Sequence, residues 1–390
     1  MIKKDQIEIF KSIKTPFYFY DLELLKKTLN VYTSYTKRYN YNAHYAIKAN
    51  AQPEILKIIK DAGLGADCVS GMEVAIALKS GFSPNKIVYA GVGKSDSEIK
   101  TALKAGIYSF NCESAPEIKV INEIAAAMGK VARISLRVNP DIDAHTHKYI
   151  STGRKEDKFG ISPWEFDSVT QMIKGLNNIK LIGLHFHVGS QITDLSIFPL
   201  LCKMVEQLQK WFIERGIEIE NLNLGGGLGI DYENPTKNPI ANFKDYFGLI
   251  HKNLVVRSGQ KVHFEPGRAI VGQCGELISR VLYVKVGQKQ KFVILDAGMN
   301  DLIRPALYQA HHDIENLTSK GVKERYAVVG PVCESSDVFT KSAFMNQTQR
   351  GDLVAIHSAG AYGQVMGMKY NQRPLAKAYY SSDKRFEKIR

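Results

Sequence analysis

The chain has 390 residues, 44% hydrophobic and 23% charged, an ordinary globular composition with room for two domains. No apolar run approaches the roughly 20 residues that span a bilayer, and the start Met1-Ile-Lys-Lys-Asp-Gln lacks the apolar core of a secretory signal, so neither a membrane protein nor an exported one is expected. Fifty-two Lys and Arg against 39 Asp and Glu leave +13, but the basic residues are scattered and match no nucleic-acid motif. The surplus is therefore read as a solvated surface biased toward anionic small molecules, with no nucleic-acid partner. The five cysteines (68, 112, 202, 274 and 333) are widely spaced and form no Cys-x-x-Cys pair, which fits a reduced, cytoplasmic setting.

Short β-rich runs alternate with helical stretches from about residue 42 to 266. The strands drawn are 42–49, 65–70, 86–91, 108–113, 131–138, 181–188, 221–225 and 261–265. Between them lie amphipathic segments at 52–61, 71–80, 95–105, 115–128, 162–174, 195–215 and 241–257. Eight strands with helical connections predict an α/β fold, a (β/α)8 barrel, with a doubly wound open sheet as the competing topology. After about residue 270 the runs Leu277–Val286, Lys291–Leu295, Tyr326–Val329 and Leu353–Ile356 read as strands separated by turns. They predict a C-terminal β domain, joined by the amino-terminal strand Pro16-Phe-Tyr-Phe-Tyr20. The domain ranges are thus 26–268 for the barrel and 1–25 with 269–390 for the β domain. Residues 141–158 read as a loop without an assigned role.

The polar residues fall in a particular place. Lys48, Asp67, Asn111, Arg137, His185, His187, Gly225 to Gly227 and Glu265 all lie near the carboxyl ends of the drawn strands, which in a barrel is the active-site face. Lys48 closes the apolar run of Tyr45-Ala46-Ile47-Lys48-Ala49-Asn50. A buried amine loses hydration, its pKa falls, and the free amine can hold an aldehyde cofactor; a solvated strand end is the plainer reading.

Leu184-His185-Phe186-His187-Val188-Gly189-Ser190 places two histidines on one strand face. No third ligand accompanies them, so no metal site is assigned; core histidines or an imidazole against a flat cofactor remain. The Gly-Ser that follows offers a hydroxyl and backbone donors to an anion. Leu224-Gly-Gly-Gly-Leu-Gly229 is either a tight turn or a set of amides converging on phosphate. Phe264-Glu265-Pro266-Gly267-Arg268 puts a carboxylate at the end of the last strand and an arginine three residues on, suited to a protonated ring nitrogen and an anion, or to a surface ion pair. In the β domain, Arg304 and Tyr308 stand four apart and can share one carboxylate. Cys333 beside Glu334 is an acid next to an amine-binding group, or simply a small hydrophobe. Tyr362 lies on the turn Gly360-Ala-Tyr-Gly363.

Taken in order, Tyr-Ala-Ile-Lys-Ala-Asn, His-Val-Gly-Ser-Gln, Gly-Gly-Gly, Glu-Pro-Gly-Arg, Arg-Pro-x-Leu-Tyr, Cys-Glu-Ser and Ala-Tyr-Gly resemble the fold-type III PLP-dependent decarboxylases, over residues 15–375. Within that family the pattern is most similar to the branch acting on meso-diaminopimelate. The resemblance implies an alanine-racemase-like barrel plus a β domain, with pyridoxal 5'-phosphate on Lys48. It implies His187 stacked on the pyridine ring, Ser190, Gly227, Gly267 and Arg268 around the phosphate, and Glu265, followed by Pro266, at the pyridinium nitrogen. It further implies Tyr362 reaching cofactor and substrate, Arg268, Arg304, Tyr308 and Glu334 as substrate-binding positions, and Cys333 as the proton donor. In the family Cys333 and Glu334 enter from a partner subunit, so a homodimer with shared sites is implied. The activity implied is loss of CO2 from a small amino acid, giving L-lysine. Family members acting on ornithine, arginine or carboxynorspermidine are the alternatives, and Arg304 with Tyr308 argues against them because their substrates lack a distal carboxylate. A non-catalytic homologue is the other alternative, and retention of Lys48, Glu265 and Cys333 together argues against it.

Overall fold

The computed structural model describes residues 2–139, 158–382 and 385–388. The chain divides into two compact units: Leu29–Gly229 with Asn242–Gly267, and Met1–Thr28 with Ile230–Ala241 and Arg268–Arg390. Residues 230–241 lie inside the range drawn as barrel but group with the β unit. The loop expected over 141–158 falls outside the described residues except for Lys158.

In chain order the strands are β1 (Phe17–Tyr20), β2 (Tyr41–Ala46), β3 (Gly65–Cys68), β4 (Ile87–Tyr89), β5 (Ser109–Cys112), β6 (Ala132–Val138), β7 (Ile179–Phe186), β8 (Asn221–Asn223) and β9 (Lys261–Phe264). Strands β2 to β9 pair in parallel, each with the next, and β9 returns to β2, closing the eight-stranded barrel. The barrel expectation is therefore borne out, and the open sheet is not. The intervening helices form where the apolar spacing placed them. The helix Asp96–Ala105 shows why: Ser95 Oγ and backbone N–H both engage the Glu98 carboxylate, and Gly106 ends the helix in the left-handed region at φ 71°. Its Ile99, Ala102 and Leu103 are buried, as the one-sided apolar stripe requires.

The barrel interior is polar in two successive layers. Residues two apart on a strand face the same side, so Asn221 and Asn223 on β8 point together, as do His263 on β9 and Glu265 just beyond it. Asn221 contacts His263, and Asn223 contacts Glu265.

The second unit is built on a nine-stranded mixed sheet containing β1 with β10 (Gly275–Val286), β11 (Lys291–Leu295), β12 (Ile314–Asn316), β13 (Lys323–Val329), β14 (Val338–Asn346), β15 (Leu353–Ile356), β16 (Lys377–Ser382) and β17 (Arg385–Lys388). As expected, β1 joins it, antiparallel to β10 and parallel to β16. Phe17 and Phe19 alternate with Tyr18 and Tyr20 on the two faces of β1. The phenylalanines pack edge-on against Phe10 of the helix Lys4–Ser12, at 5.4 and 5.0 Å between ring centroids, over Ile278 and Leu353. Four strands (β12, β14, β16, β17) and the helices Lys4–Ser12 and Leu22–Arg38 were not drawn from the sequence, although both helices carry a one-sided apolar stripe as marked as that of Asp96–Ala105.

Candidate active site

The barrel unit gathers its polar groups where β2 to β9 end. Lys48 is placed differently from the strand end expected: β2 stops at Ala46, and Ile47–Ala49 form a 3-10 turn that carries Lys48, half-buried, off the last residue of the strand. Its charge acts on Asp67, Glu73 and His187, which marks them as its neighbours.

Glu265 has three side-chain partners. Its Oε1 accepts from Asn223 Nδ2 at 2.7 Å and from Asn111 Nδ2 at 3.2 Å, and its Oε2 lies 2.9 Å from His185 Nε2. Burial alone would raise this carboxyl, but the contact with His185 and the nearby His187 and His44 outweigh it and hold it well below the usual carboxylate range. Asp67 goes the other way: burial and then the Glu265 charge push its carboxyl well above the usual range, against the pull of Lys48.

His187 follows the end of β7 and accepts from the Gly226 N–H through Nδ1 at 3.3 Å. Burial, then the charges of Lys48 and Arg137, keep it well below the usual imidazole range, so it is a neutral flat ring. Arg137 is committed elsewhere, paired with buried Glu113 at 2.7 Å. Gly225 and Gly227 take φ values of 69° and 113°, which L side chains rarely adopt. The turn they make is tied to the Ser190 turn by a bond from Ile192 N–H to Gly227 C=O of 2.9 Å. A Cβ on Gly226 would sit 2.3 Å from the Glu265 carbonyl oxygen. Gly226→Ala is therefore expected to destabilise the barrel by about 1–3 kcal/mol, read as a lower urea midpoint with an unchanged slope; an unchanged midpoint would show that the loop has room to give. Pro266 C=O accepts from Ala46 N–H at 3.0 Å, which ties the start of the Glu-Pro-Gly segment to the Lys48 turn.

The second unit carries a separate buried cluster. Arg268 Nη1 donates to Tyr232 Oη at 2.7 Å, and the Arg304 guanidinium stands 4.8 Å from the Tyr232 ring centre. Burial would raise the Tyr232 phenol, but the two guanidiniums prevail and lower it. Arg304, 3% exposed, also contacts His312 Nε2 at 2.8 Å, while His312 Nδ1 faces the His357 carbonyl at 2.7 Å. Since arginine only donates, His312 Nε2 accepts and Nδ1 carries the proton. Burial and Arg304 keep that ring neutral, well below its usual range. His357 is in turn fixed between Glu276 at 2.9 Å and Glu315 at 3.3 Å; despite burial these raise its pKa to about 10, so it is an imidazolium. Arg268 lies 4.9 Å from the centre of the Tyr362 ring, and Tyr308 lies one turn from Arg304 on the helix Arg304–Tyr308. Cys333 and Glu334 are not part of this buried cluster. Both are exposed beyond β13, with Asn371 Oδ1 accepting from Cys333 N–H at 3.1 Å and the Tyr370 hydroxyl bonded to Glu334.

Asn223, Tyr232 and His312 are site residues that sequence reasoning missed. Asn223 was legible in principle, two residues before the glycine turn on a strand end; Tyr232 and His312 sit in no motif.

The barrel site fits pyridoxal 5'-phosphate. A half-buried lysine, a neutral imidazole and an ionised carboxylate converge with a glycine turn. Asp67 Oδ1, Asn111 Oδ1 and His185 Nδ1 are buried there without hydrogen-bond partners among the described residues.

These features are those of a pyridoxal-dependent enzyme, and residues 23–272 match the family model of the pyridoxal-dependent decarboxylases, pyridoxal binding domain; the chain belongs to that family. The diaminopimelate decarboxylase of Bacteroides thetaiotaomicron is 53% identical over 378 residues, 97% of this chain and 98% of that protein. The crystal structure of diaminopimelate decarboxylase from Helicobacter pylori complexed with L-lysine superposes with a TM-score of 0.92 at 42% identity, covering 98% of this chain and 95% of that one. The arginine decarboxylase of Paramecium bursaria Chlorella virus shares the fold, with a TM-score of 0.85 over 97% of this chain and 99% of that one, at 21% identity.

Proposed function

We propose that this chain is a diaminopimelate decarboxylase, releasing CO2 from meso-2,6-diaminopimelate to leave L-lysine. The observation that carries the substrate choice is the buried Arg268–Tyr232–Arg304 cluster. Arg304 is held by a phenol and a neutral imidazole, with no carboxylate bonded to it among the described residues, so its charge is available to an anionic group of the substrate. Diaminopimelate keeps one carboxylate after losing the other, and that survivor is what such a cluster can hold. Ornithine and arginine have none to spare.

When bound, pyridoxal 5'-phosphate supplies an electron sink for the pair left on carbon as CO2 departs. Lys48 is the residue that would hold its aldehyde carbon. His187 offers a flat neutral ring to the pyridine face. Ser190, Gly227, Gly267 and Arg268 furnish donors for the phosphate, and ionised Glu265, ahead of Pro266, accepts the ring N–H. Tyr362, beside Arg268, reaches toward both cofactor and substrate. Arg304 and Tyr308 bind the distal carboxylate, and Glu334 the distal amine. Cys333 Sγ gives its proton to the carbon that lost CO2. A thiol S–H is a proton donor and can do so.

Measuring CO2 release by the purified protein from meso-diaminopimelate, ornithine, arginine and carboxynorspermidine tests the assignment. Release from the first alone is expected; faster release from a diamine precursor would replace it, and none from any would favour a non-catalytic homologue. The working form is a cytoplasmic homodimer in which exposed Cys333 and Glu334 serve the partner's barrel. Mixing inactive Lys48→Ala and Cys333→Ala homodimers should then restore about a quarter of wild-type activity at random reassortment, since half the dimers carry one intact site of two. No recovery despite demonstrated subunit exchange would place both residues in one subunit's site.

A further inference from the structure

Below Glu265, one layer further into the barrel, lie two histidines that the reading above leaves unused. His44 on β2 and His263 on β9 are both buried, and their rings stack at 5.2 Å with an 18° tilt. They form one line of hydrogen-bond contacts. His44 Nδ1 is 3.0 Å from the Lys86 carbonyl oxygen, His44 Nε2 is 2.9 Å from His263 Nδ1, and His263 Nε2 is 3.1 Å from Asn221 Oδ1.

The two ends of this line are acceptors. The Lys86 carbonyl cannot donate. The Asn221 amide is oriented by two other contacts, since its Nδ2 donates to the Ile182 carbonyl at 3.3 Å and its Oδ1 accepts from the Tyr108 hydroxyl at 2.8 Å. Turning the amide over would set its oxygen against the Ile182 carbonyl. Both outer ring nitrogens therefore need a proton, and the inner pair needs one between them. Two neutral imidazoles carry only two protons, and would leave a bare lone pair facing an oxygen.

We propose that His44 and His263 share a third proton and act as a single imidazole–imidazolium pair, a fixed positive charge one layer beneath Glu265 that keeps this carboxylate ionised. The pair positions charge rather than touching substrate. The inference rests on Glu265 serving as the acceptor for the cofactor's ring N–H, because a carboxylate that took up a proton could not fill that role.

The surroundings weigh on both sides. On balance both rings are shifted below the ordinary imidazole range, by burial first, and the ammonium groups of Lys86 and Lys261 add to that. Glu265 favours the charge on each, and reciprocally His44 is among the groups that favour its ionisation. Tyr108 lies 5.5 Å from the His263 ring, with the Arg133 guanidinium 5.3 Å from its own ring centre, and its hydroxyl donates to Asn221. The acceptors at both ends decide the count: with them in place there is no two-proton arrangement that satisfies every nitrogen. Asn111, Asn223 and His185 bond Glu265 directly, and at longer range His187 acts on it beside the rim and His44 from the layer below.

Neutron diffraction from the deuterium-exchanged holoenzyme at neutral pH reads this directly. Deuterons are expected on His44 Nδ1, on His263 Nε2 and on the line between the rings. Two deuterons on the pair would overturn the proposal. The same map shows whether a deuteron lies between Glu265 and the cofactor's ring nitrogen, so failure of the pair and failure of the Glu265 assignment are seen separately. His263→Gln gives a second readout by infrared difference spectroscopy. Near neutral pH it should show a carboxylic-acid band that is absent from wild type and removed by adding Glu265→Gln. Should the variant not fold, His44→Asn provides the same reading. A folded variant whose carboxylate spectrum matches wild type would refute the electrostatic role.

Discussion

Borohydride reduction of the cofactor-loaded protein is expected to leave a pyridoxyl label on Lys48 alone, and Lys48→Ala to abolish that label. The 3-10 turn after β2 projects this amine among Asp67, Glu73 and His187, within a layer that already holds an ionised Glu265. Loss of precise positioning of the reacting group costs about 10² in rate by itself. Turnover by Lys48→Ala should fall by at least that factor while the fold, followed by circular dichroism, is retained. Peptide mapping by mass spectrometry locates the label. A pyridoxyl group on another lysine, or none, would remove Lys48 from the mechanism.

Arg304→Ala should lower kcat/KM for meso-diaminopimelate by a factor of roughly 30 to 1,000. That corresponds to about 2–4 kcal/mol for losing a charge-assisted contact whose partner charge stays buried, at 1.4 kcal/mol per decade. Arg304 is buried, and its fork is oriented by Tyr232 on one side and by the neutral His312 on the other. Arg304→Lys restores the charge but not the fork, so it should recover only part of the loss. Affinity for pyridoxal 5'-phosphate, titrated separately, should change little. An unchanged kcat/KM would refute the assignment of Arg304 to the distal carboxylate.

The period-two and 3.6-residue patterns were enough to draw all eight barrel strands and the helices between them, because each element declares itself within a dozen residues. The β unit was less legible. β11 and β15 are short apolar runs and were drawn to their ends, whereas β14, with exposed Lys341 and Phe344, and the three-residue β12 show no clean alternation. Boundaries shifted most where a strand runs into a functional turn. The apolar run through Ile47 reads as strand to the end of the motif, yet the chain has already coiled by Lys48.

From its sequence alone this protein determined which elements form, where the chemistry-bearing residues recur along them, and, through seven ordered motifs, the family they resemble. Tertiary structure decided which of those residues meet. His185 and Glu265 are 80 positions apart, His44 and His263 are 219 apart, and Tyr232 reaches Arg268 across 36. No local period records such contacts, because they arise when the barrel closes and when residues 230–241 leave the barrel's compact unit for the β unit's. The charge states were equally invisible beforehand. Asp67 is shifted up and Glu265 down, His312 down and His357 up, because burial sets the cost of each charge and the partner opposite decides whether it is met.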